Sequence, residues 1–268
     1  MNYENDLGWQ LANTLNQYKE DVNAFILELL GNYATTTASY VTDMFTMVLR
    51  DKYCALWQLA RNEVIHKAVT ECRKNEYERA QKYLNDFMDL HGVFQSIVIR
   101  NNFMQNILSI VKDDYAVSSV KGNHSAPCLL TAPNSRLIKD SGCIATFYFE
   151  LRDRRGKIGT LEAGISTHML SDAFRTAKER IPYLNAMCMT DGTGQVLYPE
   201  SFSRKNTLQR EIMAKIGENP SGYHVSFRET PVVTGYASMA ALPFTVTSRW
   251  ILVCEFNASG NGESKTSK

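Results

Sequence analysis

The feature that most restricts what this chain can fold into is a run of apolar side chains near its N-terminus that keeps helical spacing for almost the whole of its first fifty residues. Leu7, Leu11, Leu15, Tyr18, Val22, Phe25, Leu29 and Tyr33 step by three or four, and Tyr40, Met44, Met47 and Val48 resume beyond a threonine-rich patch. Little in the run asks for a break. Between Trp9 and Val48 the one glycine is Gly31, and the first proline of the chain is Pro127. A glycine inside a helix costs about 1 kcal/mol relative to alanine, far less than a proline. A helix of roughly 45 residues would be about 65 Å long, more than a small domain can cover. The spacing therefore predicts a spine that stands partly outside the globule, or a contact with a second copy. The alternative is two bundle helices joined at Gly31-Asn32.

The composition narrows the class of partner. The 268 residues are 44% hydrophobic, enough for one large or two small cores. The 29 basic and 28 acidic residues nearly cancel and alternate along the chain, which excludes nucleic acid and an anionic membrane surface as ligands. No stretch approaches the roughly 18 apolar residues of a membrane span, and the N-terminus lacks the pattern of a signal peptide. Composition alone suggests a cytoplasmic protein, although an excised extracytoplasmic segment reads the same way. The six cysteines leave the compartment open. Cys54 and Cys72 lie about 27 Å apart if one helix carries both. Cys128 and Cys143 flank a loop and can close a disulfide, and Cys188 and Cys254 sit in apolar runs as buried thiols.

Helical spacing continues from Tyr53 to Cys72 and again from about Glu76 to Leu90, where Gly92 marks a stop. The character then changes. Val93 to Arg100 is β-branched and reads as a strand, with a weaker candidate at Asn106 to Val111. Residues 112 to 142 read as irregular, and a loop of that length is more often functional than idle. Cys143 to Arg152 and Lys157 to Ser166 then form strands joined by Asp153-Arg154-Arg155-Gly156, an antiparallel hairpin. A helix is expected from about Leu170 to Arg180. A smaller copy of the pattern follows, with strands at Leu184 to Met189, Gln195 to Tyr198, Tyr223 to Phe227, Val232 to Met239 and Trp250 to Phe256, and a helix around Thr207 to Ile216. The inferred class is α+β: a long N-terminal helix followed by two tandem domains with antiparallel sheets.

Four segments in this order carry a family likeness. They are Leu59-Ala-Arg-Asn-Glu-Val with the Tyr83-Leu84 helix and the strand from Phe94 to Arg100; Ala145 to Asp153 with Gly156 to Ser166; Met187 to Tyr198 with its Asp-Gly turn; and Val233-Thr-Gly-Tyr-Ala with Trp250-Ile-Leu-Val. In these the chain resembles the double Cache family, the extracytoplasmic sensing regions of histidine kinases, chemoreceptors and cyclic-dinucleotide enzymes of bacteria and archaea. The resemblance implies a spine helix over 1–52, a membrane-distal PAS-like domain over 53–182 that holds the ligand, and a membrane-proximal one over 183–257. Residues 258–268 read as a disordered tail. It also implies transmembrane segments on either side, outside this sequence, and a homodimer formed through the N-terminal helix of the intact receptor.

Enzyme signatures are weak. Gly164-Ile-Ser-Thr-His168 lacks the second glycine of a nucleophile elbow, and the glycine-containing turns lack the spacing of a phosphate loop. The five histidines are scattered, so neither a metal nor another cofactor is expected. Strand alternation is more informative. It puts Ala145, Phe147, Phe149 and Leu151 on one face of the hairpin, with Leu161, Ala163 and Ile165; the other face carries Thr146, Tyr148 and Glu150 with Thr160, Glu162, Gly164 and Ser166. The apolar face suits packing on the long helices. The polar face is either solvated or a pocket wall covered by residues 112 to 142, with Tyr148, Thr146 and Ser166 converging on a ligand. Arg136 and Lys139 can meet a ligand carboxylate, and Tyr115 can supply an aromatic wall; Thr131 and Gly164 complete the candidate set.

Members of the family that bind amino acids carry an acidic residue where this chain has Gly164. A small carboxylate or another polar metabolite is accordingly the expected ligand. The expected function is a non-catalytic, extracytoplasmic small-molecule sensor of a membrane receptor. The alternatives are a cytoplasmic PAS- or GAF-like regulatory module and a helical adaptor without ligand.

Overall fold

The computed structural model describes residues 3–111, 128–131, 143–166, 168–194, 196–199, 210–227, 231–239 and 250–257. Helix α1 (Tyr3–Leu59) is a single rod of 57 residues, about 85 Å long at 1.5 Å per residue. The threonine patch does not interrupt it, because the hydroxyls of Thr35 and Thr36 donate back to the carbonyls of Gly31 and Asn32 at 2.9 and 2.8 Å. From Trp9 to Ile26 every residue of α1 is exposed. Beyond that point one side sinks into the globule, burying Ala34, Ala38, Val41, Phe45, Leu49 and Leu56. The rod ends where Asn62 caps α2 (Glu63–Glu71), its side chain accepting from the Val64 amide at 2.8 Å. The helix expected to continue from Tyr53 to Cys72 is thus two helices, broken at Ala60-Arg61-Asn62 by a good N-cap residue. Helix α3 (Lys74–His91) ends on Gly92 in the left-handed conformation, as the sequence predicts.

Two five-stranded antiparallel sheets follow. The first comprises β1 (Phe94–Asn101), β2 (Asn106–Val111), β3 (Cys128–Thr131), β4 (Cys143–Asp153) and β5 (Gly156–Ser166), in spatial order β2-β1-β5-β4-β3. Helix α4 (His168–Arg180) leads out of it. The second comprises β6 (Leu184–Thr190), β7 (Val196–Tyr198), β8 (Ser221–Phe227), β9 (Pro231–Ser238) and β10 (Ile251–Asn257), in order β7-β6-β10-β9-β8, with α5 (Arg210–Glu218) between β7 and β8. The two orders are the same arrangement written twice. The stretch expected to be irregular contains β3; its remaining residues, 112–127 and 132–142, lie outside the described residues.

Each sheet lays one face towards helices. In the first lobe that face carries Ile97, Ile99, Phe147, Phe149, Leu161 and Ala163, and Tyr53 of α1 meets the rings of Phe147 and Phe149 at 6.2 and 5.2 Å between centroids. In the second lobe α1 lies directly on β8, β9 and β10. A side chain at Gly235 would collide with the backbone of Ala34, and one at Gly31 with the ring of Tyr223, so rod and sheet touch nearly backbone to backbone. The Thr42 hydroxyl adds a 3.5 Å hydrogen bond to the Ala237 carbonyl. The expected α+β architecture of a long helix and two sheet lobes is the observed one.

Candidate functional site

The remaining face of the first sheet is where the sequence places its polar candidates. Register fixes which residues share it. Thr146 pairs with Gly164, Tyr148 with Glu162 and Glu150 with Thr160; on the other side of β5, Ser96 pairs with Gly164, Val98 with Glu162 and Arg100 with Thr160. The wall therefore reads, in rows across β1, β5 and β4, as Ser96-Gly164-Thr146, Val98-Glu162-Tyr148 and Arg100-Thr160-Glu150. It is not a solvated surface. Tyr148 is 2% exposed, Glu162 3% and Arg100 5%, and Ser166 and Thr160 are buried as well.

Charges this deep must be paired to be tolerated. Arg100 forms an ion pair through Nη1 with Glu162 Oε1, and its Nε donates to Asn106 Oδ1 at 2.9 Å. At the row's other end Glu150 accepts from Arg152 at 2.6 and 2.9 Å and pairs with Lys157 at 3.1 Å. Burial alone would push the Glu150 carboxyl up, but hydrogen bonds from Arg152 and Lys157 and their charges outweigh it and hold the group below the ordinary carboxylate value. Burial raises the Tyr148 phenol despite the opposing Lys157 charge and hydrogen bond, so the phenol stays protonated at neutral pH. One hydroxyl of this wall stands out: Thr160 Oγ1 is buried with no hydrogen-bond partner among the described residues. Such an orphan costs about 1–3 kcal/mol unless something fills its bonding capacity.

Of the residues singled out from sequence, Thr146, Tyr148, Gly164 and Ser166 belong to this wall or its end. Thr131 pairs with Ala145, a register position of the helix-facing side. Arg136, Lys139 and Tyr115 lie outside the described residues, as do the side chains of Cys128 and Cys143. Arg100 was not foreseen, nor the roles of Glu162, Glu150, Lys157 and Thr160. Alternation along β1 already aligns Ser96, Val98 and Arg100, but only the pairing of β1 with β5 reveals that this row adjoins Glu162.

The corresponding face of the second sheet is covered by a helix over part of its length. Its rows are Ala186-Glu255-Thr234, Cys188-Val253-Tyr236 and Thr190-Ile251-Ser238, and α5 packs Ile212, Met213 and Ile216 against Cys188, Val196, Ile251 and Val253. A tyrosine holds the same place in both lobes, next to Glu162 in one and Val253 in the other. Burial drives the Cys188 thiol well above its ordinary range and pushes Cys254, on the helix-facing side, up to about 12. The sequence reading of these two cysteines as buried thiols holds.

No family model matches the sequence, and no curated relative does. Solved structures do match in fold. The extracellular domain of vpHK1S-Z8, assigned as a histidine kinase, superposes with a TM-score of 0.65 over 87% of this chain and 93% of its own, at 10% identity. The ligand-binding domain of the Campylobacter jejuni chemoreceptor Tlp3, solved with L-norvaline, gives 0.61 over 91% and 96%, at 8% identity. That of the Pseudomonas aeruginosa amino-acid chemoreceptor PctB, solved with L-Arg, gives 0.55 over 86% and 96%, at 9% identity. The fold is shared with these extracellular sensor and ligand-binding domains, which fits the double Cache likeness of the sequence. These neighbours are sensor and ligand-binding domains of kinases and chemoreceptors.

Proposed function

We propose that this chain is the extracytoplasmic sensing region of a transmembrane receptor, non-catalytic in itself, that binds a small polar metabolite against the polar wall of its first lobe. The observation that carries the reading is the contrast between the two second faces. One is covered by the apolar side chains of α5 over its middle row and keeps the carboxylate of Glu255 at its edge; the other holds a buried ion pair in its middle row, beside a threonine hydroxyl with no partner among the described residues. A wall built to be merely stable would resemble the second lobe, because replacing a buried ion pair by apolar residues is often neutral or stabilising.

The described charges of the wall pair among themselves, so recognition there rests on directional hydrogen bonds from Tyr148, Thr160, Thr146 and Ser166. A small carboxylate would draw on Arg136 or Lys139. The neighbours solved with amino acids make that class the natural comparison in any screen, although this chain has Gly164 where their relatives carry an acid. Ligand entry would shift the first lobe against α1, and only a difference in affinity between two arrangements can bias them.

The rod also supports a homodimer. Leu11, Leu15, Tyr18, Val22, Phe25 and Leu29 alternate steps of four and three and are all exposed, as the seam of a coiled coil requires. Flanking transmembrane segments would anchor the rod. No helix among the described residues is long and apolar enough to cross a membrane.

A thermal-shift screen of organic acids, amino acids, amines and sugars tests the reading. A ligand at 100 times its dissociation constant adds about 2.7 kcal/mol of stability. The expected outcome is a hit whose shift disappears in Thr160→Val and Tyr148→Phe. Silence across the panel would favour an adaptor without ligand. A sequence upstream of residue 1 with no hydrophobic span would favour a cytoplasmic module.

A further inference from the structure

A concave site lies at the second lobe, between α4 and the start of β6. It is a cleft of about 420 Å³ lined by Phe174, Arg175, Lys178, Leu184 to Met187 and Pro199. That volume falls within the range of small-molecule pockets, roughly 300–1,000 Å³. Its apolar floor is firm: Phe174, Leu184 and Met187 are buried, and the Phe174 ring is braced by Phe45 and Tyr198 at 6.1 and 5.7 Å between centroids.

The polar lining is one-sided. Arg175 and Lys178 stand three residues apart on α4, on neighbouring positions of the helix surface, and Asn185 lines the cleft from β6; among the described residues no acidic side chain lines it. Arg175 holds a 3.0 Å pair with Asp172, but both side chains are largely exposed and such pairs contribute about 0–1 kcal/mol. Lys178 makes no ion pair or hydrogen bond among the described residues. An apolar floor under one free cation and one loosely held cation matches a single ligand chemistry: a ring or short chain ending in one negative charge.

We infer that this cleft is a second binding site, separate from the polar wall of the first lobe, for a small amphipathic monoanion such as an aromatic or medium-chain carboxylate. Its placement gives occupancy a route to the rest of the molecule. Helix α4 starts two residues after Ser166, the last residue of β5, so a ligand gripping Arg175 and Lys178 holds the segment that connects the two lobes.

Titration of the whole chain with benzoate, hexanoate and the neutral isostere benzamide, followed through the methionine methyl signals, decides the matter. The Met187 methyl is expected to shift saturably with benzoate and hexanoate and to ignore benzamide. Lys178→Glu, an exposed position that leaves the fold intact, should weaken benzoate by at least about tenfold. Ala186→Leu, which fills the cleft without touching charge, should abolish the shift. Tyr148→Phe should leave it unchanged, so that a failure of the first-lobe reading and a failure of this one are separately visible. A silent Met187, equal binding of benzamide, or undiminished binding in Lys178→Glu overturns the inference.

Discussion

The two lobes share a strand order and a buried tyrosine at the same row, yet they fill the middle row of the second face differently. In the first lobe Tyr148 adjoins Glu162, which is tied to Arg100. In the second Tyr236 adjoins Val253, beneath Ile212 and Ile216 of α5. The strand order is the same in both, although the bulges and strand lengths differ. The difference teaches that this strand order accepts either a valine or a paired glutamate at the middle row, so that the Arg100–Glu162 ion pair is not a requirement of the topology.

The comparison breaks most visibly if the chemistry is transplanted. Val253→Glu puts an unpaired carboxylate at the place Glu162 holds in the first lobe, and should cost about 3–5 kcal/mol, lowering the melting temperature by roughly 6 °C or more in calorimetry. A loss under about 1 kcal/mol would mean that the second lobe is as receptive to charge as the first. Next comes Glu162→Gln, which strands Arg100 and should cost about 3 kcal/mol in urea unfolding. The double variant Arg100→Met with Glu162→Leu should recover most of that loss.

A smaller effect concerns pH. The Cys254 thiol has its pKa raised to about 12 in the folded chain, while in the unfolded chain it ionises near 9. Stability is therefore intact below about pH 9 and falls as pH rises towards 12, with a slope of up to about 1.4 kcal/mol per pH unit from this group alone. Urea titrations between pH 8 and 10 should show the decline, and Cys254→Ala should reduce its slope, leaving the part that the buried Cys188 thiol contributes. In the same samples a maleimide should label the exposed Cys54 and Cys72 before Cys188 or Cys254, as peptide mapping would read. The smallest effect on either lobe belongs to Leu15→Asp on the free part of α1. It should change stability by no more than about 0.5 kcal/mol yet weaken self-association in sedimentation.

Much of this was legible from spacing. The rod followed from an apolar repeat with no proline to end it, and the β4–β5 hairpin from alternation around Asp153-Arg154-Arg155-Gly156. That alternation also named Tyr148, Thr146 and Ser166 as wall residues, since parity within one hairpin needs no knowledge of the rest of the sheet. Arg100 was invisible for the converse reason. Its partner sits on a strand 62 residues away, and nothing in β1 says which strand lies beside it. The break at Asn62 was missed because helical spacing persists across it, while the cap is a single hydrogen bond. Nor does alternation reveal cover: both second faces alternate, and only the packing of α5 tells the covered one from the other.

The notch where Gly31 and Gly235 let rod and second sheet meet has a mechanical consequence. A slide of α1 by about one turn, 5.4 Å, would bring the Cβ of Leu27 or Thr35 close to the place where Gly31 clears the Tyr223 ring. The rod is thus latched to the second lobe against a slide of that length. A turn-long ratchet of the helix past its neighbour is blocked at this notch, whereas a pivot of rod and sheet together leaves it undisturbed.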